Sequence, residues 1–241
     1  MEVRDKVVVV TGAANGIGRA LAKRFSEEGA GKIIIADLDE QGLKRVKTET
    51  GAESFKTDVA SEADVKQLIE SCERKYGGID LLCNNAGIGV NGGPEVSNED
   101  WQKIWEINVM AHVYAARAAI PGMLRRGSGY ILNTASAAGL LSQIGSAPYA
   151  VTKHAAVSFA EWLAITYGDR GLKVSVLCPQ AVRTAMTADD PHGVASVDGM
   201  IEPEQVSEAV IATLKNESFL VLPHPKVLDY IQRKSGDYDR W

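Results

Sequence analysis

The stretch Val7 to Phe25, VVVVTGAANGIGRALAKRF, decides the fold. Four consecutive valines suit a strand covered on both faces, since a strand with one wet face alternates apolar and polar residues. Gly12, Gly16 and Gly18 follow at a turn where backbone without Cβ atoms can come close to a ligand. An amphipathic helix then begins, and its first N–H groups and partial positive charge favour an anion. Strand, glycine turn and helix in this order describe a phosphate-binding βα unit, with Asn15 and Ile17 lying among its glycines.

The alternation continues along the chain. KIIIAD, ESFKTDV, IDLLCN, GYILNTA, LKVSVLCP and SFLVLP read as strands. Between them lie helical segments: DEQGLKRVKTET, EADVKQLIESCERKYG, a long one from about Glu99 to Arg126, one from Tyr149 to about Asp169, and EPEQVSEAVIATLKN. The expectation is a Rossmann-like, doubly wound α/β sheet of about seven parallel strands with helices on both faces. Ser97 or Asn98 is placed to cap the long helix, and Pro203 falls where a first turn tolerates it. Residues 183–201 lack clear periodicity and are expected to form a mobile loop or short-helix insertion beside a site. The ending KSGDYDRW shows no packing pattern.

Composition narrows the function. A net charge of −5, with LRRG at Leu124 to Gly127 as its one basic cluster, provides no footprint for nucleic acid. The valine run is far shorter than the ~20 apolar residues of a membrane span, so no membrane association and a cytoplasmic location are expected. Cys72, Cys83 and Cys178 lie apart and read as buried free thiols. His112, His192 and His224 show no ligand spacing, and no metal is expected. Asp37 falls at the end of the second strand, about 20 residues beyond the glycines, where a carboxylate accepts hydrogen bonds from both hydroxyls of an adenosine ribose. It would repel a 2′-phosphate, and Asn15 supplies no compensating cation, so NAD is expected over NADP. Asp39 fits a helix cap better than Asp37 does.

Several ordered motifs now resemble the short-chain dehydrogenase/reductase family across nearly the whole chain. TGAANGIG resembles its glycine loop, and Asp58-Val59 its dipeptide after the third strand. Asn84-Asn85-Ala86-Gly87 follows the fourth strand, Asn108 lies within a helix, and Ser136 ends the fifth strand. Tyr149 and Lys153 lie four residues apart in YAVTK, and Pro179-Gln180-Ala181-Val182-Arg183-Thr184 follows the sixth strand.

The resemblance implies one NAD-binding and catalytic domain over residues 1–241, with residues 183–201 as its substrate loop. Hydride would pass between nicotinamide and a secondary alcohol or ketone, while Tyr149 exchanges a proton with the substrate oxygen. Lys153, one helical turn on, would stabilise the phenolate and hold the nicotinamide ribose. Ser136 would bind the reacting oxygen, and Asn108 would hold backbone and a water leading to Lys153. The cofactor set comprises Gly12, Asn15, Gly16, Ile17, Gly18, Asp37, Leu38, Asp58, Val59, Asn85, Ala86, Gly87, Tyr149, Lys153, Pro179, Val182 and Thr184.

Ser136, Tyr149, Ile144 and Gln180 would meet substrate, in a pocket made mainly apolar by Val90, Leu140, Leu141, Ile144 and Met186. Gln180 stands where the family usually has glycine. It either shapes the substrate mouth or points to solvent. His154 reads as a packing or surface residue. Family likeness also implies a homotetramer or homodimer. Two rivals stay open: an NADP-linked 3-oxoacyl-type reductase, and a non-catalytic dinucleotide-binding protein.

Overall fold

The computed structural model describes residues 1–188 and 193–241. The strands are β1 (Val7–Thr11), β2 (Lys32–Asp37), β3 (Glu53–Lys56), β4 (Leu81–Asn84), β5 (Gly129–Thr134), β6 (Leu172–Leu177) and β7 (Leu220–Val221). All seven are parallel, in the order β3-β2-β1-β4-β5-β6-β7. The valine run of β1 explains itself here: Val9 packs into the helix layer on one face, Val8 and Val10 into the layer on the other. The first layer comprises α3 (Glu62–Tyr76), α5 (Ala111–Arg126) and α6 (Ala147–Tyr167); the second comprises α1 (Gly16–Glu27), α2 (Glu40–Thr50) and α7 (Pro203–Asn216). No helix among the described residues is long and apolar enough to cross a membrane.

Order reverses between β1 and β4, and such a switch opens a crevice at the carboxyl ends of the strands. Every candidate motif falls at that end. Helix starts are fixed locally: Asp39 accepts from the Gln41 and Gly42 N–H groups, and Ser61 and Ser97 cap α3 and α4 (Asn98–Trp105). Glu202 caps α7, with Pro203 in its first turn.

Two elements differ from expectation. The long helix of the second half is interrupted between α4 and α5 by a π turn, Glu106–Met110, centred on Asn108. Its extra residue per turn is a recurrent device at functional sites. Near the end of the chain a further helix, α8 (Lys226–Gly236), forms just before and into the ending KSGDYDRW; it is amphipathic and buries Val227 in the core. Polar contacts also dock this end of the chain. Tyr230 donates to Asp198 at 3.1 Å, Lys234 Nζ donates to the Leu140 carbonyl at 2.8 Å, and Trp241 Nε1 donates to the Leu141 carbonyl at 3.2 Å.

Candidate active site

Beneath the glycine turn, the Thr11 hydroxyl accepts the Asn85 N–H at 3.0 Å and the Ala86 N–H at 3.3 Å. The Asn85 amide donates back to the Thr11 and Gly12 carbonyls, each at 3.2 Å. Asn85 therefore laces β4 to the turn rather than offering its amide to a ligand. Gly12 has φ +64°, and a Cβ there would lie 2.7 Å from the Ala86 Cα. Only glycine fits that crossing. A Cβ on Gly16 would lie 3.0 Å from the Thr184 methyl, so the loop after β6 closes over the same turn.

Asn15 precedes α1 without a side-chain cap bond, unlike Asp39, Ser61 and Ser97 before their helices. The first N–H groups of α1 thus face the crevice with no capping side chain over them, as an anion site requires. Asp37 stands at the rim of the crevice. Its carboxylate accepts the Ala14 and Asp39 N–H groups, each at 3.0 Å, which fixes its direction and leaves lone pairs to spare. Leu38 beside it is exposed, Asp58 holds the Ala60 N–H at 3.0 Å, and Val59 packs against the core.

On the other side of the switch lie the four candidate catalytic residues. Asn108 is fully buried. Its side chain accepts the Ile88 N–H at 2.9 Å, donates to the Ile88 carbonyl at 3.0 Å, and donates to Thr152 Oγ1 at 3.2 Å. The π turn delivers it to this three-way clasp, which joins the β4–α4 loop to α6. A Cβ on Gly87 would lie 3.2 Å from Asn108 Oδ1 and 3.3 Å from Lys153 Nζ, so both side chains converge there.

Ser136 ends the loop after β5 and donates to the Pro179 carbonyl at 3.3 Å. Lys153 Nζ lies 5.5 Å from the centre of the Tyr149 ring, as residues one helical turn apart should. Lys153 is 3% exposed and donates to the Thr134 carbonyl at 3.1 Å.

Electrostatics here depart from expectation. Burial raises the Tyr149 phenol above its ordinary pKa, with the neighbouring Ser136 hydroxyl pulling the other way. Burial also lowers Lys153, to about 8. The ammonium is turned to a carbonyl, and burial disfavours both charged forms. The phenol is therefore not pre-ionised by the four-residue spacing alone.

The remaining candidates divide. Leu140, Leu141 and Val90 are half-buried around the site, whereas Ile144 is 81% exposed and Met186 is also exposed. Val182 is buried in the core and pairs with Ile201. Gln180 does not point to solvent. Its backbone N–H donates to His224 Nδ1 at 3.2 Å, its side-chain amide reaches the Asp198 carboxylate, and its amide oxygen is buried. Part of the expected substrate loop, 189–192 with His192, lies outside the described residues. His154 bonds the Ala150 carbonyl at 2.8 Å, a contact within α6. Thr11, Thr134, Thr152 and Asp198 escaped the sequence reading, because each meets a partner distant in sequence that no spacing marks: Asn85 for Thr11 and Thr134, Asn108 for Thr152, and Lys226 and Tyr230 for Asp198.

A family model described as short chain dehydrogenase matches residues 6–194. The chain is 34% identical to meso-2,3-butanediol dehydrogenase of Serratia marcescens over 90% of each protein. It is 37% identical to 1-deoxy-11-beta-hydroxypentalenate dehydrogenase of Streptomyces exfoliatus, over 91% of this chain and 83% of that protein. A short chain dehydrogenase/reductase from Burkholderia phymatum, solved in complex with NAD, superposes with a TM-score of 0.90 at 31% identity, covering 100% of this chain and 96% of that one. Sheet order, the crevice at its switch point and these likenesses agree, and the chain belongs to the short-chain dehydrogenase/reductase family of oxidoreductases.

Proposed function

We propose that the protein transfers a hydride between NAD and a secondary alcohol or ketone that carries substantial apolar surface. The observation that carries this reading is the convergence of Ser136, Tyr149 and Lys153 at the carboxyl end of the sheet that also holds the glycine turn. The residues present fit the cofactor. The uncapped start of α1, with Thr184 closing over Gly16, suits a pyrophosphate, and the Asp37 carboxylate suits two ribose hydroxyls while repelling a 2′-phosphate. When bound, the nicotinamide supplies or takes the hydride.

The chain's own residues handle the proton. Tyr149 exchanges it with the substrate oxygen, and the Ser136 hydroxyl holds that oxygen as charge develops there. Lys153 then has two tasks: to hold the ribose, and to support the phenolate once the pocket closes. Asn108 holds the Ile88 backbone that lines the same space. Val90, Leu140 and Leu141 favour an apolar substrate flank.

One domain over residues 1–241 carries all of this. Val151, Trp162 and Ile165 on α6 are exposed apolar side chains that suit a homodimeric or homotetrameric contact, which sedimentation velocity tests directly. For the reaction, a panel of secondary alcohols and ketones is followed by NADH absorbance. Turnover with kcat/KM at least ~10-fold higher for NAD than NADP is expected, a difference of ~1.4 kcal/mol in transition-state stabilisation. A preference for NADP overturns the cofactor assignment, and binding without turnover across the panel overturns the reaction.

A further inference from the structure

His112 is 1% exposed, and neither of its ring nitrogens has a hydrogen-bond partner among the described residues. Leaving buried polar groups unpaired costs about 1–3 kcal/mol each, so such a ring calls for an explanation. A second unpaired group lies in the same layer. Asn133 is 0% exposed; its side-chain oxygen accepts from the Asn84 amide at 2.9 Å, yet its own Nδ2 has no partner among the described residues.

The geometry brings these groups together under Lys153. Leu82 and Ile131 face the layer of α5 and α6, so two residues further along each strand Asn84 and Asn133, opposite each other in register, face it too. His112 sits one turn before Ala115 and Ala116 on the stripe of α5 that enters this layer. Lys153 sits one turn before Ala156 and Val157 on the corresponding stripe of α6, and its ammonium bonds the carbonyl of Thr134, the neighbour of Asn133. The Lys153 charge acts on the His112 ring, and burial followed by that charge lowers the ring to about 3. At neutral pH it is therefore a neutral imidazole with one donor and one acceptor, and too poor a base to store a proton.

We propose that His112 and Asn133 form a buried water-binding pocket beneath Lys153, in which the neutral imidazole is a positioning residue that supports the ammonium through water. An ammonium has three N–H groups, and the Thr134 carbonyl takes one. Buried water making about three hydrogen bonds is the usual partner for groups so placed. The assignment rests on the proposed role of Lys153, and His112 itself touches neither cofactor nor substrate.

The titration of Lys153 is a clean readout. The titratable groups that face it are Tyr149 on α6, Cys178 after β6 and His112 on α5. Burial pushes the Cys178 thiol to about 12 and raises the phenol, so both stay neutral while Lys153 titrates near 8. The experiment follows the Nζ of Lys153 by 15N NMR in the cofactor-free protein, with the signal assigned by its loss in Lys153→Met.

His112→Leu removes the acceptor and is expected to weaken proton affinity about tenfold, one pH unit downward; His112→Gln, which keeps a polar group, restores at least half of the shift. Titration curves that superpose overturn the proposal. Should His112→Leu fail to fold, the imidazole 15N shifts of the unaltered protein decide: one protonated nitrogen and one accepting a hydrogen bond support it, and a non-accepting nitrogen overturns it. No substrate enters either measurement, so failure of the alcohol and ketone panel and failure of this proposal are read separately.

Discussion

Lys153 carries an ammonium into a helix layer where the Thr134 carbonyl is its hydrogen-bond acceptor. Its pKa of about 8, against 10.5 for a free lysine, is a folding penalty of roughly 3 kcal/mol at neutral pH. Between pH 8 and 10.5 the unfolded chain holds this proton and the folded chain does not, so stability from this residue rises with pH across that window. Lys153→Met should therefore raise the melting temperature at pH 7 and abolish turnover, with the gain shrinking as pH climbs towards 10.5. Calorimetry at several pH values checks this; a variant less stable at pH 7 contradicts it. Asn108→Ala points the other way. It leaves the half-buried Ile88 N–H and carbonyl without their partner, and a loss of about 1–3 kcal/mol in denaturant unfolding is expected.

At the scale of elements, the glycine turn is a joint as much as a cradle. Gly12→Ala forces a Cβ against Ala86 in a left-handed backbone, so both stability and NAD affinity should fall. Gly51, the C-cap of α2, has φ +71° but nothing within 4 Å of a new Cβ. Its alanine variant should lose only the ~1–2 kcal/mol of left-handed strain and bind NAD unchanged, which isothermal titration of both variants compares. The loop 193–201 and α8 form another joint. The Asp198 side chain is nearly buried and takes the Lys226 ammonium and the Tyr230 hydroxyl, each at 3.1 Å. Asp198→Ala should release this loop to limited proteolysis, and an unchanged cleavage pattern would show that α8 is docked by its other contacts.

Across the whole molecule, the sheet was legible because Val7–Val10 and Lys32–Asp37 have to be covered on both faces, and parallel strands with helices between them satisfy that need. The cluster of Ser136, Tyr149 and Lys153 was legible through the ordered motifs of the family resemblance, since a four-residue spacing alone equally describes two side chains sharing a helix face. The π turn was not, since Glu106–Met110 has ordinary helical composition and only the distant Ile88 backbone reveals why it bulges. Helix α8 was legible only in part: Val227, Leu228 and Ile231 recur at helical spacing, but the carbonyls of Leu140 and Leu141 that hold Lys234 are far away in sequence. Nor does spacing disclose that burial, acting on Tyr149 and Lys153 together, opposes ionisation of the phenol.

The central claim concerns that phenol, and Tyr149→Phe removes its hydroxyl while keeping the ring beside Lys153. With the best alcohol or ketone of the panel, kcat should fall by about 10²–10⁴-fold, the range of general acid–base catalysis, while NADH titrated by fluorescence binds as before. A variant that keeps its kcat would contradict the account.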